Sequence, residues 1–426
     1  MRKLFSLYFN SNLLYRILAG LVLGVILGMA FGEKILWIAP FGDLFIRLLR
    51  MIMLPIIFST LIVGASSVSP ANLGKVGIRI MIFYTFSSFI AVAIGLISGA
   101  IFRPSVELSG NAVESAVGRA AEVPAMSQIL LDIIPPSIAR AIVNETILAV
   151  IFFALVFGLA LSYLRISKNE QIKESADIVF KFFDGIAHIM MLVIKGIMQY
   201  APIGVLALVS VVFATNGSRV IGSLGIVTVA CFTAYGLQVI VFYFILIKLY
   251  AGLSIKRFIG YAKEPFITGF VTRSSNGTLP VTMEAAKNMG IPKDVYSFAL
   301  PLGATINMDG TAVYQGVCVT FIALSVWGQG FNPSQIGIIM LTATLATIGT
   351  AGVPGAGALM LLMVLDSVGL PVQAGTIVAG AYAMIIGIDA LLDMGRTAIN
   401  VTGDLVCTSV VTKRLGMLDM SKWAKK

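Results

Sequence analysis

Charge is scarce in this chain. Only 12% of its 426 residues are Asp, Glu, Lys or Arg, about half the share of an ordinary soluble domain, while 58% are hydrophobic and the mean hydropathy is +0.96. That balance excludes an ordinary soluble enzyme. Histidine is reduced to His188, so a histidine-based zinc site or a catalytic triad has almost no material; His188 is expected to be an interfacial or packed residue. The three cysteines, Cys231, Cys318 and Cys407, lie in apolar runs at spacings that allow neither a disulfide framework nor a CxxC metal site. A GxxxxGK[ST] phosphate loop is missing too, which argues against ATP-driven pumping. The net charge of +10 does not imply a nucleic-acid partner. The basic residues fall in short loops, where they set membrane orientation, and no basic stripe interleaved with aromatics is present.

What the chain has in quantity is apolar length. A span needs about 20 apolar residues, and candidates run over 12–31, 37–67, 76–102, 126–164 (broken), 177–213, 220–250, 295–326 and 375–412. Met1-Arg2-Lys3 precede the first, which is too long for a signal-peptide core and lacks a convincing cleavage site. The polar stretch 103–125, with Glu107, Glu114 and Glu122, and the loop Asn216–Arg219 should lie outside. The loops with Arg165, Lys168, Lys173 and Lys181, and with Lys248, Lys256, Arg257 and Lys263, should lie inside, like the tail with Lys413, Arg414, Lys422, Lys425 and Lys426. Eight spans then put both termini in the cytoplasm.

Two further segments, 254–291 and 333–371, are moderately apolar but interrupted, at Arg273–Pro280 and at Gly349–Gly357. A Gly/Pro/Ser break between two apolar arms reads as a re-entrant helical hairpin, because bare backbone survives at membrane depth only beside protein or a water-filled cavity. Each hairpin precedes a span with a polar interruption, Asn307–Thr311 after the first and Asp393–Thr397 after the second. Paired interrupted segments point to a transport site built from inverted repeats. A channel filter or flexible loops are the alternatives; two hairpins with two polar spans disfavour loops. The fold class is an all-α membrane protein of eight transmembrane helices plus two re-entrant hairpins.

The last span carries the densest chemistry. Asp389, Asp393, Arg396, Asn400 and Asp404 fall at about 0°, 40°, −20°, 20° and 60° around a helix turning 100° per residue, with Thr397 at the edge of that face. The rest of the helix is apolar, including Leu391, Leu392, Ile399, Val401 and Leu405. Such a seam faces the protein interior, and buried ionisable groups in membranes are functional by default; structural ion pairing is the bland alternative. In Gly303–Thr311 the two end glycines bracket a stretch able to unwind and free carbonyls, and Thr305, Asn307, Asp309 and Thr311 add the oxygens that hard cations prefer. A ligand-free kink is the alternative there. Ser87 and Ser88, after Tyr84, are weaker signals, since alone they would be helix-packing hydroxyls.

Charge counting sharpens the functional reading. Asp309, Asp389, Asp393 and Asp404 face Arg273 and Arg396, which leaves −2 if all are ionised. A buried net charge is neutralised by ions or avoided by protonation. An anionic solute deepens the deficit, so solute and cations each favour the other's binding. Arg396 suits a solute carboxylate through its planar fork and Asp393 an ammonium group, a pair that fits an amino acid with a second carboxylate; the two could also pair only with each other.

Together, Arg273–Pro280, Asn307–Gln315, Gly349–Gly357 and Asp389–Asp404 resemble the dicarboxylate/amino acid:cation symporters, the glutamate/aspartate sodium symporter family, and look most like its archaeal sodium–aspartate members. The likeness covers nearly the whole chain. It implies a homotrimer in the plasma membrane whose protomer has a scaffold, residues 1–75 and 126–219, and a transport domain, residues 76–125 and 220–426, that moves as an elevator with the second hairpin as gate. It implies substrate contacts from Arg273, Ser274, Ser275, Thr311, Val353, Gly357, Asp393, Arg396, Thr397 and Asn400. It implies one sodium site from the Gly303 carbonyl, Asn307, Asn400 and Asp404, a second from backbone around Thr305, Thr347, Ile348 and Thr350, and a third from Tyr84, Ser87, Ser88, Asn307 and Asp309. The chain departs from the family pattern at Asn276, where close relatives have a serine, at Ser87, where threonine is common, and at Thr347, where serine is common. None of these removes a liganding group. The implied activity is uptake of L-aspartate, or of L-glutamate, driven by co-transported sodium ions; proton coupling, and a C4-dicarboxylate or another amino acid as solute, are the rivals. An enzyme is not expected, for lack of a nucleophile–base pair.

Overall fold

A computed structural model of the chain describes residues 13–66, 76–105, 134–144, 146–217, 219–348, 350 and 352–424. The expected outer stretch 103–125 lies mostly outside these residues, as do Met1–Lys3, Gly349, Ala351 and the last two lysines. Among the described residues the secondary structure is helical throughout. In chain order the helices are α1 (Leu13–Phe31), a 3-10 turn (Gly32–Ile38), α2 (Ala39–Ser66), α3 (Ile78–Phe102), α4 (Ile138–Val143), α5 (Ile147–Leu164), α6 (Glu170–Asn216) and α7 (Arg219–Leu237), which runs on through π-helical turns Gln238–Tyr243 and Leu246–Tyr250. Then follow α8 (Ile255–Thr272), α9 (Ser275–Asn288), α10 (Lys293–Ile306), α11 (Asp309–Trp327), α12 (Pro333–Ile348), α13 (Ala356–Ser367), α14 (Ile377–Arg414) and the short α15 (Ser421–Ala424).

Among the described residues six stretches are long and apolar enough to cross a membrane: Tyr15–Ser66, Ile78–Phe102, Glu170–Thr215, Gly222–Tyr250, Lys293–Trp327 and Ile377–Arg414. The first holds both of the first two expected spans. The fourth expected span, 126–164, is represented by α4 and the shorter apolar helix Ala149–Leu164; its residues 126–133 lie outside the described ones.

α1 and α2 lie along α6, and α2 also packs on α5. Gly20, Gly24 and Gly28 recur every four residues on α1, and a Cβ on any of them would collide with α6 backbone at Pro202, Leu206 or Ser210. Hydrogen side chains there let the two helices touch. α3 packs on α11, and α14 packs on α8, α10 and α11. Every residue of α11 is buried, so it is the axis around which the polar interior is built.

Both interrupted segments form paired helices, α8 with α9 and α12 with α13. The first break is narrower than its sequence suggests. α8 ends at Thr272, Arg273 turns into the left-handed region at φ 55°, and α9 starts at Ser275. The Ser274 hydroxyl caps α9 by accepting the Gly277 N–H at 3.0 Å, so Pro280 sits inside a helix. The polar stretch after the first hairpin is likewise reduced to two residues, Asn307 and Met308, between α10 and α11. The expected interruption at Asp393–Thr397 does not occur. α14 is continuous there, and Gly395 serves packing instead, since a Cβ would lie 2.8 Å from the Tyr235 ring.

Candidate functional site

The seam of α14 is buried along its whole length: Asp389, Asp393, Arg396, Thr397, Asn400 and Asp404 are each at most 6% exposed. Arg396 is the hub of one end. Its Nη2 lies 2.7 Å from Asp393 Oδ1, to which Nε also donates at 3.0 Å. Nη1 donates to Asp389 Oδ1 at 3.1 Å and Nη2 to Asp389 Oδ2 at 3.4 Å. The guanidinium carbon stands 4.5 Å from the centroid of the Tyr314 ring, close enough for a cation–π contact. Asp393 takes further bonds from the Thr397 hydroxyl at 3.4 Å and the Gly355 N–H at 3.2 Å.

Glycine brings the two broken elements onto this hub. A Cβ at Gly310 would collide with the Arg396 carbonyl, and one at Gly357 would meet Arg396 Nη1 at 2.7 Å. The tips of the two hairpins are tied together as well. The Ser274 hydroxyl and the Asn276 backbone N–H both donate to the Gly352 carbonyl, at 2.8 and 3.1 Å. Between tips and hub lies a cavity of about 10 Å³. That is room for about one water, too little for an amino acid or a dicarboxylate. Nine of the ten expected substrate residues line it, all except Ser274. Arg273 is half-buried, so four buried carboxylates are matched by one fully buried guanidinium and not two.

At the other end of the seam no cationic side chain among the described residues takes part. Asp404 Oδ1 accepts the Asn307 side-chain N–H at 2.9 Å. Asp309, fully buried, takes hydrogen bonds from Ser87, from Ser88 at 3.1 Å, from Tyr243 at 2.6 Å and from Gln238 at 3.4 Å. All of these donors are neutral. Among the described residues neither carboxylate has an ion-pair partner. Asn307 Oδ1 is buried with no hydrogen-bond partner.

The expected cation ligands divide accordingly. Ser87, Ser88 and Asp309 meet directly, and Asn307 meets Asp404. Gly303 lies against Asp404 and the Tyr84 hydroxyl, but its carbonyl accepts the Asn307 N–H at 2.9 Å. Tyr84 donates to the Ala299 carbonyl at 2.9 Å and does not reach Asp309 by a hydrogen bond. Asn400 Oδ1 is taken by the Gly310 N–H at 2.8 Å. The hydroxyls of Thr305, Thr347 and Thr350 bond back to their own helices, at Leu302, Thr344 and Ala346. Thr305, Ile348 and Thr350 line one wall of a separate cavity of about 470 Å³ between α2, α6 and α10. His188 lines the same cavity. It is exposed and not packed, with Nδ1 2.8 Å from the Asp184 carbonyl.

Three partners escaped the sequence reading: Gln238, Tyr243 and Tyr314. Gln238 carried a signal, as a lone amide in an apolar run. Tyr243 did not. In an α-helix residues five apart diverge by about 140°, whereas a π turn bonds residue i to i+5 and stacks them. The π turn Gln238–Tyr243 thus lets both side chains reach Asp309.

The family model described as the sodium:dicarboxylate symporter family matches residues 13–414. The chain is 32% identical over 424 residues to the proton/sodium-glutamate symport protein of Bacillus subtilis (strain 168), covering 96% of this chain and 94% of that protein. It is 31% identical to the proton/glutamate-aspartate symporter of Escherichia coli (strain K12), over 96% of this chain and 94% of the relative. It is also 31% identical to the C4-dicarboxylate transport protein of Erwinia tasmaniensis, over 97% and 95%. With a small polar cavity among buried helices, and a match over almost its full length, the chain belongs to the sodium:dicarboxylate symporter family, a family of membrane transporters.

Proposed function

We propose that the chain is a sodium-coupled symporter that takes up L-aspartate, with L-glutamate as a second solute. One observation carries the choice of cation. Asn307 Oδ1 is buried without a partner, between two carboxylates that only neutral donors touch. A proton on Asp404 would remove charge, but it could satisfy that oxygen only if the Asn307 amide turned over and gave up its own N–H bond to the carboxylate. A sodium ion satisfies both, because hard cations collect amide, carboxylate and carbonyl oxygens. In this reading Tyr84, Ser87, Ser88, Gly303, Thr305, Asn307, Asp309, Thr347, Ile348, Thr350, Asn400 and Asp404 serve the sodium ions. Asp393 holds the solute ammonium and Arg396 its side-chain carboxylate. Residues 76–125 and 220–426 move as an elevator against the scaffold of a homotrimer, and the second hairpin opens as gate. The chain is multi-pass in the plasma membrane with both termini cytoplasmic.

A C4-dicarboxylate is the second reading for the solute. It is favoured by Arg273, a second guanidinium lining the cavity, and by the relative named for that solute. Uptake of labelled aspartate into proteoliposomes, under a sodium gradient alone and a proton gradient alone, tests the cation. Uptake under the proton gradient alone sinks the sodium reading. Excess succinate that blocks uptake as well as excess aspartate does would favour the dicarboxylate.

A further inference from the structure

The hub leaves Arg396 no spare edge. Nε, Nη1 and Nη2 all donate to Asp389 or Asp393, and the guanidinium face rests on Tyr314. A carboxylate bound bidentately needs one whole edge of the fork, so the arginine must give up a partner when solute arrives. Asp389 is the partner that can go. Asp393 keeps bonds from Thr397 and Gly355, whereas Arg396 supplies the only hydrogen bonds found for the Asp389 side chain among the described residues. Released alone, Asp389 would be a buried carboxylate without compensation, which proteins tolerate poorly.

A second cation borders the same crevice. Arg273 lines both the small cavity with Arg396 and a crevice of about 40 Å³ that Asp389 also lines. Its guanidinium has no hydrogen bond or ion pair with another described residue. Its backbone is held at φ 55°, where an L-residue is strained and which recurs at functional sites. We propose that Arg273 and Arg396 exchange Asp389: when solute binds, Arg273 takes over the carboxylate and frees an edge of Arg396 for the solute. Arg273 is then a positioning residue, acting on the solute through Arg396. This rests on the acidic-solute reading above.

The test is a double-mutant cycle on the full-length protein, read by calorimetry with aspartate, glutamate and succinate at saturating sodium. Arg273→Gln weakens acidic-solute binding at least about tenfold, while the same change made in an Asp389→Asn background costs less than about threefold, a non-additivity expected of residues that share a partner. Arg273→Lys, which keeps the charge, stays within about threefold of the unaltered protein. A direct solute contact, or a merely damaged tip, gives the same loss in both backgrounds and overturns the exchange. If the unaltered protein binds none of the three solutes, the acidic-solute reading fails, and the exchange falls with it. Binding intact with additive losses refutes the exchange alone.

Discussion

Two carboxylate clusters share the buried seam of α14, and they are built on opposite principles. At Arg396, two aspartates are matched by a guanidinium and by backbone and hydroxyl donors. At Asp309 and Asp404, two aspartates are met only by hydroxyls and amides. The first cluster is close to self-sufficient: it can persist without solute because Asp389 and Asp393 fill the places that a solute carboxylate would take. The second has no positive side chain among the described residues and keeps an acceptor unsatisfied, so its charge is balanced by bound cations or removed by protonation. The difference teaches where coupling originates. In the proposed reading, the cluster that meets the solute is partly compensated by its own arginine, and the one that takes the cations lies farther along the seam. Between them Asn400 bridges the two, holding the Gly310 N–H at the start of α11.

Removing one charge from each cluster should therefore cost stability very differently. Arg396→Ala leaves two buried carboxylates facing each other, and breaking a buried pair costs about 3–5 kcal/mol. We expect a large fall in the thermal midpoint in detergent, together with loss of acidic-solute binding; a neutral solute should be affected less. Unchanged aspartate affinity in calorimetry would count against the role of Arg396. Asp309→Asn replaces a carboxylate among neutral donors by an isosteric neutral group, so the midpoint without sodium should fall little. Sodium affinity should drop on the order of 100-fold, the scale of about 3 kcal/mol for a lost charged partner. A sodium titration of aspartate binding checks it. If both variants lose stability equally, the clusters are not distinct in kind.

The seam was legible because it obeys the helical period, and no competing residue interrupts its apolar background. Both hairpins were legible for a related reason: their breaks combine Gly, Pro and Ser where a span should be unbroken. The extents of the breaks were not. Pro280 looked like part of the first tip, but a single capping serine, Ser274, restarts the helix ahead of it. Asp393–Thr397 looked like an interruption because it is polar with a glycine. Its polar side chains are satisfied by one another at i+3 and i+4 spacing, and that spacing is supplied by an intact helix. The partners of Asp309 were hidden for a third reason. Gln238 and Tyr243 share a face only because α7 switches to π winding, and no residue preference announces that switch. Asp389 was visible on the seam, but its bond to Arg396 seven residues on depends on the rotamer of a long side chain.

The smallest effect tests the most local part of the comparison. Tyr243→Phe removes one of four neutral donors around Asp309, the one at 2.6 Å, and leaves the ring in place. A single hydrogen bond to a buried charged acceptor is worth about 1.5 kcal/mol or slightly more, so sodium affinity should shift on the order of tenfold. The direction depends on what the tyrosine does. If its hydroxyl holds Asp309 in position for a cation, affinity falls. If it competes with the cation for the same oxygen, affinity rises. The short contact and the three other donors still in place favour positioning, so a fall is expected, with aspartate affinity at saturating sodium unchanged. A shift in aspartate affinity that persists at saturating sodium would mean that the two clusters are coupled through the protein itself and not through the ions, and the contrast between them would fail.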